Sequence, residues 1–325
     1  SGDYVYIAIR RGPMAVPEDA ADVFDVLTRT GNGTETDVTG VGFAPDLFIS
    51  RPRTGSSGRN TVVADRLRGV QKSLSTTSAV AEQAESDGVL FFGQDGVTVG
   101  ASTSGYWNGV NFSSDTLAYY FWKRAPNFFD VVAYTGNSTV GRTIDHNLGV
   151  APEMIWVKNR DQTDNWVVYA GTDSGGTPKK MFLNLDNSWL DAGDFNNTEP
   201  TASSFTVAAD HTVNNSGEDY IAYLFASVDG VSKVGSFSHT NGSSTNVDCG
   251  FSAGARFVLL KRYNDTSHWV IMDTERGIVA GDDPYLQLSS SNAEFTTDDI
   301  VDPYNAGFAT GPDLATGDWI FYAIA

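Results

Sequence analysis

Short apolar runs alternate along this chain with groups of glycine, serine, threonine, asparagine and aspartate. Within the runs, apolar residues either alternate with polar ones or form brief uninterrupted blocks, as at 131–134, 154–158 and 166–169. Blocks of this kind between turn-forming residues predict short β-strands. Only residues 76–85 have a helical composition, and we interpret them as a single turn or a loop. The pattern therefore predicts an all-β protein.

The same pattern occurs three times. The run FDVLTRTGN at 24–32 returns as FDVVAYTGN at 129–137 and more loosely as VGSFSHTNG at 234–242, which aligns Thr30, Thr135 and Thr240. Each copy is followed by further strand-like runs in the same order and closes on an aromatic strand. A repeat of about 100 residues has the size of a small domain. We therefore predict three tandem, homologous modules that resemble a β-sandwich or a jelly roll.

The repeat also predicts the boundaries. Module 1 covers 21–126, module 2 covers 127–233 and module 3 covers 234–325, while 1–20 hold a stray strand from an upstream unit and a linker. The stray strand, SGDYVYIAI, copies the closing strand of module 2, so we expect the chain to be a fragment of a longer polypeptide. The short junctions predict that neighbouring modules touch and form a semi-rigid rod.

Composition limits the kinds of ligand that the protein is expected to bind. The net charge of −19 and the isoelectric point near 4.4 exclude nucleic acid phosphates and anionic lipids as ligands. Apolar runs are too short to form a membrane-spanning helix, so we expect no membrane insertion. The single cysteine, Cys249, excludes an intrachain disulfide, and its strand-like setting predicts a small buried apolar side chain.

The sequence gives little indication of a set of catalytic residues. The histidines at 146, 211, 239 and 268 lie far apart in sequence and do not have the spacing of zinc ligands. A glycosidase needs two carboxylates that face each other across a cleft. Carboxylates are abundant in this chain, but no pair recurs across the repeats, which favours a solvated acidic surface. We therefore predict a protein that is not an enzyme and has no cofactor. Calcium binding stays an alternative at two turns that are rich in oxygen ligands, although neither turn has the spacing of a dedicated calcium-binding loop. The candidates are Asp282, Asp283, Asp298 and Asp299.

Tryptophans provide the better candidates for a binding site. Trp166 and Trp269 occupy equivalent positions in two repeats, which predicts a role in the core. Trp107 and Trp189 lie on loops without equivalents. Aromatic faces bind sugar rings while neighbouring amides bind the hydroxyl groups. We therefore predict glycan contact at Trp107 with Asn108, and at Trp189 with Asn187.

Several motifs together resemble the repeated module of tail-fibre-like virion proteins of marine bacteriophages. They are FDVVAYTGN at 129–137, LGVAP at 148–152, NWVVY at 165–169, YIAYLFA at 220–226, and Asp-x-x-Arg-Gly at 65–69 and 273–277. The resemblance covers nearly the whole chain and implies a place in the virion, on the tail or another exterior appendage, after synthesis in the bacterial cytoplasm. It supplies no catalytic residues. Rods of such modules usually assemble as closed symmetric oligomers, so a homotrimer is expected.

The leading hypothesis is thus a non-enzymatic virion structural protein, a tail fibre that binds a host-surface glycan or an outer-membrane protein and contacts other virion proteins. Two alternatives stay open. A polysaccharide depolymerase would need a carboxylate pair in a groove. A capsid or head decoration protein would use its modules to bind other virion proteins.

Overall fold

The computed structural model describes residues 14–54, 59–101 and 109–325. The predicted stray strand lies outside these residues. Within them, helical structure is limited to two 3₁₀ turns, Ala20–Asp22 and Gly193–Phe195, and one short helix, α1, His211–Asn214. None of the helices in the described part of the chain has the length and apolar character that crossing a bilayer requires. The segment 76–85 contains no helix, and its end forms a short strand.

Almost all regular structure is antiparallel β, as the sequence predicts. The first part of the chain contains β1 (Phe24–Thr30), β2 (Thr36–Thr39), β3 (Leu47–Pro52), β4 (Val62–Asp65), β5 (Lys72–Ser73), β6 (Gln83–Ala84), β7 (Val89–Phe92), β8 (Gly96–Val99) and β9 (Thr116–Trp122). The middle part contains β10 (Phe129–Thr135), β11 (Arg142–Asp145), β12 (Met154–Asn159), β13 (Val167–Thr172), β14 (Pro178–Phe182), β15 (Leu190–Asp191), β16 (Ser204–Val207) and β17 (Asp219–Phe225). The last part contains β18 (Ser232–His239), β19 (Asn246–Asp248), β20 (Phe257–Arg262), β21 (Val270–Asp273), β22 (Asp283–Gln287), β23 (Phe295–Asp298), β24 (Val301–Tyr304), β25 (Gly307–Thr310) and β26 (Gly317–Ile324).

Three large sheets repeat one strand order. The first sheet is β1-β9-β3-β4, the second sheet is β10-β17-β12-β13-β14-β15, and the third sheet is β18-β26-β20-β21-β22-β23. Smaller sheets, β2-β8-β7, β11-β16 and β19-β25-β24, belong to the same three parts of the chain. In each large sheet the aromatic closing strand lies between the first strand and the strand that follows the Gly-rich turn. The sheets therefore have corresponding positions that can be compared residue by residue.

The strand register refines the repeat alignment. Val26 pairs with Tyr120, Val131 with Tyr223, and Val234 with Tyr322. The third copy of the first strand is therefore aligned on Val234 as the counterpart of Val26. This shifts the third copy by two residues relative to the alignment on Thr30, Thr135 and Thr240.

The closing strands explain why both faces of each large sheet are apolar. In β9, the side chains of Ala118, Tyr120 and Trp122 belong to a core that residues of all three large sheets share. The alternate residues, which include Tyr119 and Phe121, belong to a separate core with β7 and β8. This is the period-two alternation of a strand buried on both sides. The second and third sheets likewise have separate cores of their own.

The shared core changes the predicted arrangement. A row of modules, each stabilised by its own interior, would leave the outer faces of the first and third sheets apart. Instead, Phe257 of the third sheet lies 5.2 Å from Phe24 and 5.7 Å from Trp122, measured between ring centroids. Tyr322 of the third sheet lies 5.1 Å from Phe225 of the second. The sheets thus surround one core, and the division into three domains stays a prediction.

The predictions for two kinds of core residue are confirmed. Trp166 and Trp269 are fully buried, and each indole nitrogen donates to a backbone carbonyl in the preceding part of the chain, that of Ser75 at 2.7 Å and that of Phe182 at 2.9 Å respectively. Cys249 is buried, and burial raises the pKa of its thiol to about 12. A thiol of this kind is a poor nucleophile.

Candidate functional site

The three large sheets contact one another in a closed ring. We call the contact between the first and second sheets the first interface, that between the second and third sheets the second interface, and that between the third and first sheets the third interface. Each interface contains an equivalent backbone hydrogen bond. The donors and acceptors are Glu82 N–H to the Arg160 carbonyl at 2.7 Å, Trp189 N–H to the Tyr263 carbonyl at 3.0 Å, and Glu294 N–H to the Arg53 carbonyl at 2.9 Å.

Buried charges seal the first interface. The Tyr223 hydroxyl of the second sheet donates to the Asp65 carboxylate at 2.6 Å, and Asp65 is paired with Arg68, whose side chain is fully buried. Glu82 accepts from Arg68 at 3.0 Å and from Arg160 of the second sheet at 3.0 Å. Burial alone would raise the pKa of Glu82, but the two guanidinium groups outweigh it and lower the pKa. Every charge in this network has an opposite charge beside it.

The third interface repeats this network. Tyr120 donates to Asp273 at 2.9 Å, and Asp273 is paired with Arg276 at 2.7 Å. Glu294 accepts from Arg276 at 3.2 Å and from Arg53 at 3.0 Å. The two Asp-x-x-Arg motifs of the sequence therefore join neighbouring sheets, which makes them structural.

The second interface departs from this pattern at every corresponding position. Ala170 replaces the aspartate, Tyr263 replaces the arginine of the partner sheet, and Trp189 replaces the glutamate. The rings of Trp189 and Tyr263 stack with centroids 3.9 Å apart and planes inclined by 26°. The buried hydroxyl of Tyr322, the counterpart of Tyr120, does not donate to a carboxylate, because Ala170 stands where the other two interfaces have an aspartate. An aromatic pair thus takes the place of an ion network.

A cavity of about 320 Å³ opens at the second interface. Its wall contains aromatic, aliphatic, hydroxyl and carboxylate groups from both sheets. The lining residues are Ala151, Pro152, Glu153, Tyr169, Ala170, Gly171, Thr172, Trp189, Glu199, Pro200, Val234, Gly235, Ser236, Tyr263 and Ile320. This mixture of apolar surface with a few polar groups is typical of a small-molecule site.

Two carboxylates give the cavity its negative charge. Glu153 and Glu199 are both exposed, and Glu153 accepts from the Ser227 amide at 2.6 Å. Burial, with a further contribution from the charge of Glu199, raises the pKa of Tyr169 to about 12, so this phenol stays protonated at neutral pH. None of the residues described as lining the cavity is a lysine or an arginine. The site is therefore suited to hydrogen-bond donors on a ligand.

The structure places the predicted glycan-contact residues differently. Trp189 lines the cavity. Asn187 is partly buried near it, and its side-chain amide donates to the Ser188 carbonyl at 2.7 Å, but it does not line the cavity. Trp107 and Asn108 lie outside the described residues. The sequence analysis missed Tyr263 and Glu153, although Tyr263 is detectable as a departure from the arginines at the same position of the other two copies.

The calcium candidates do not form a metal centre. Asp283 is buried and accepts three backbone N–H groups at 2.9 to 3.2 Å, and burial raises its pKa to about 6. Asp298 accepts from the Tyr285 hydroxyl at 2.7 Å. Asp282 is exposed, and burial raises the pKa of Asp299. Across 14–54, 59–101 and 109–325, no three carboxylate, histidine or cysteine side chains converge in a way that could hold a metal ion.

One match over residues 19–324 covers all three sheets and the cavity. The chain belongs to the family of a domain of unknown function, DUF7483. No curated protein matches it. The DUF7483 match treats the ring of sheets as one continuous unit, in keeping with the shared core. The family description names no activity, so the function of this DUF7483 protein has to be argued from its cavity.

Proposed function

We propose that this DUF7483 protein is a non-enzymatic bacteriophage virion protein, a tail fibre or related adhesin, that binds a host-surface glycan in the cavity at the second interface. The observation that carries the proposal is the cavity wall, where the Trp189–Tyr263 pair stands beside the carboxylates of Glu153 and Glu199. Aromatic surface packs against the apolar faces of sugars, and carboxylates accept hydrogen bonds from their hydroxyl groups.

The size of the cavity agrees with a short glycan segment. Small-ligand sites usually range from about 300 to 1,000 Å³, and this cavity lies near the lower limit. The place in the virion comes from the resemblance of the repeated motifs to tail-fibre-like proteins. The closed ring of sheets supports it, because a rigid scaffold that contains no disulfide suits an exterior fibre assembled from a bacterial cytoplasm.

Adsorption to host cells tests the proposal. Fluorescently labelled protein is incubated with host bacteria and with cells stripped of surface polysaccharide. We expect binding to the intact cells, and we expect the Trp189→Ala variant to bind at least tenfold more weakly because it loses the aromatic wall. Phe91→Ala is the matched control, since Phe91 is 60% exposed and lies in the first part of the chain, away from the cavity. Equal adsorption of the wild type and the Trp189 variant would rule out this cavity as the receptor site.

A second candidate function, polysaccharide depolymerisation, is favoured by one observation. Glu153 and Glu199 line the same cavity, and glycosidases use two carboxylates on either side of the scissile bond. The wild-type protein would then release new reducing ends from host polysaccharide, and Glu153→Gln and Glu199→Gln would each abolish the release. We expect no release; a signal that both variants lose would replace the non-enzymatic proposal.

A further inference from the structure

The first interface contains a smaller counterpart of the cavity. This second cavity measures about 110 Å³, and its wall contains Asp46, Arg66, Leu67, Arg124 and Val131. The strand pairings align the two cavities. Leu47 pairs with Asp65 in the first sheet. In the second sheet Ile155, one position after the counterpart of Leu47, pairs with Tyr169, one position before the counterpart of Asp65. Four positions correspond by this count: Asp46 to Glu153, Arg66 to Gly171, Leu67 to Thr172, and Val131 to Val234.

Arg66 forms part of the wall of the small cavity. Its guanidinium donates to the Pro45 carbonyl at 2.9 and 3.1 Å, and to the carbonyls of Phe92 at 3.1 Å and Gly93 at 2.9 Å. The same group lies 3.6 Å from the Asp46 carboxylate. The carbonyl and carboxylate groups around Arg66 therefore bind a cation that donates several hydrogen bonds, and the protein supplies that cation itself.

At the second interface the carboxylate is kept and the arginine is absent. Glu153 stands at the position of Asp46, and Pro152 stands at the position of Pro45. Gly171, the counterpart of Arg66, has no side chain, and a Cβ built there would meet no atom within 4 Å. Space and negative charge are thus present together where the related site holds a guanidinium.

Other cations of the protein do not neutralise this site. The ammonium of Lys179 lies 5.8 Å from the centroid of the Trp189 ring, but it is already paired with Asp173 at 3.0 Å and Asp191 at 2.6 Å. At the third interface Arg256, which is paired with Asp25 at 2.9 Å, stands at the position of Asp46 and Glu153, and Thr274 stands at the position of Arg66. Among the residues that the structure describes, the first interface therefore has a carboxylate and an arginine at these two positions, the third has an arginine without the carboxylate, and the second has the carboxylate without an arginine.

We infer that the cavity at the second interface binds a cationic hydrogen-bond donor in the place that Arg66 fills at the first interface, and that this donor is the ammonium group of an unacetylated amino sugar. The inference rests on the proposed glycan binding and specifies its ligand. The Glu153 carboxylate pairs with the ammonium, the Pro152 carbonyl accepts from it, and the aromatic wall of Trp189 and Tyr263 adds a favourable interaction with the cation.

Calorimetric titration at pH 6 and low salt tests the inference with two defined probes, a hexamer of glucosamine and a hexamer of N-acetylglucosamine. They differ in charge, since acetylation removes the ammonium. We expect the glucosamine hexamer to bind at least tenfold more tightly, and Glu153→Gln to remove most of that preference. The amide keeps an oxygen that can accept from the Ser227 amide, so this variant should fold normally. Glu275→Gln, at an exposed glutamate of the third part of the chain, is the matched control and should behave as wild type.

The outcomes separate the inference from the proposed function. Equal binding of the two hexamers would overturn the cationic preference and leave glycan binding in place. A preference that survives Glu153→Gln would overturn the assignment of the ammonium to this carboxylate. Failure of both hexamers to bind would overturn the inference, while the adsorption experiment with Trp189→Ala decides the proposed function independently. Free arginine should compete with the glucosamine hexamer, because it carries the group found at the related site, and lack of competition would also contradict the inference.

Discussion

The first and second interfaces join equivalent edges of equivalent sheets, yet the first leaves a cavity of about 110 Å³ and the second leaves a cavity of about 320 Å³. Both keep the backbone hydrogen bond, from Glu82 in one and from Trp189 in the other. The first interface fills its space with Arg66 and an ion network, whereas the second leaves a cavity beside a stacked aromatic pair. The backbone maintains the register of the ring, so side chains at the corresponding positions are free to diverge. The larger cavity therefore lies where Gly171 takes the place of the arginine side chain of Arg66.

The largest loss of stability is expected when the first interface receives the alanine that the second interface has at the corresponding position. Asp65→Ala should lower the free energy of unfolding by about 3–5 kcal/mol, because it leaves the buried guanidinium of Arg68 without its nearest carboxylate. Urea denaturation measures the change. Asp65→Ala combined with Arg68→Met should recover part of the loss, since an apolar pair replaces an uncompensated charge. A loss below about 1 kcal/mol for the single variant would show that the network does not seal the interface.

A smaller effect is expected from the bridging carboxylate. Glu82→Gln should cost about 2 kcal/mol, because three hydrogen bonds from the guanidinium groups of Arg68 and Arg160 lose their anionic acceptor. Glu294→Gln at the third interface is the matched variant and should cost a similar amount. Since the arginines lower the pKa of Glu82, its contribution is present above pH 4.5 and is lost as the pH falls through the lowered value. Urea denaturation at pH 7 and at pH 3 measures the stability cost of the Glu82→Gln variant at each pH. An equal cost at the two pH values would contradict this account.

The smallest effect concerns the buried lysines at corresponding positions of the two sheets. Burial lowers the pKa of both Lys158 and Lys261 to about 8, whereas unfolded lysine titrates near 10.4. The unfolded chain binds more protons in this window, so stability should rise with pH, by roughly 0.5–1 kcal/mol per lysine between pH 8 and 9. Lys261→Met should flatten the rise seen by urea denaturation, and Lys158→Met should do the same.

These two lysines also sharpen the comparison. Lys261 donates across the second interface to the Asp186 carbonyl at 2.8 Å, whereas Lys158 donates to carbonyls of its own loop. Lys261→Met should therefore weaken ligand binding at the cavity more than Lys158→Met does. Equal effects on binding would show that the cavity does not depend on this contact.

Much of the fold could be predicted from local pattern. Apolar blocks between turn-forming residues identified most of the strands, including β12 and the aromatic closing strands, because strand periodicity is a short-range property. Equivalent positions in two repeats correctly placed Trp166 and Trp269 in the core. The cavity was harder to predict. Trp189 stood out as a loop tryptophan without equivalents, but its partner Tyr263 lies far from it in sequence, and their stacking depends on how the sheets associate.

The sequence by itself determined the all-β class, the threefold recurrence of the strand pattern and the burial of the single cysteine. Each follows from the composition and periodicity of neighbouring residues. Only the tertiary structure decided that the sheets close into a ring around one core instead of forming a row. It alone brought Trp189, Tyr263, Glu153 and Glu199 around one cavity. The reason is physical: a strand that is apolar on both faces must be covered twice, and local sequence does not specify which distant sheet provides the second cover.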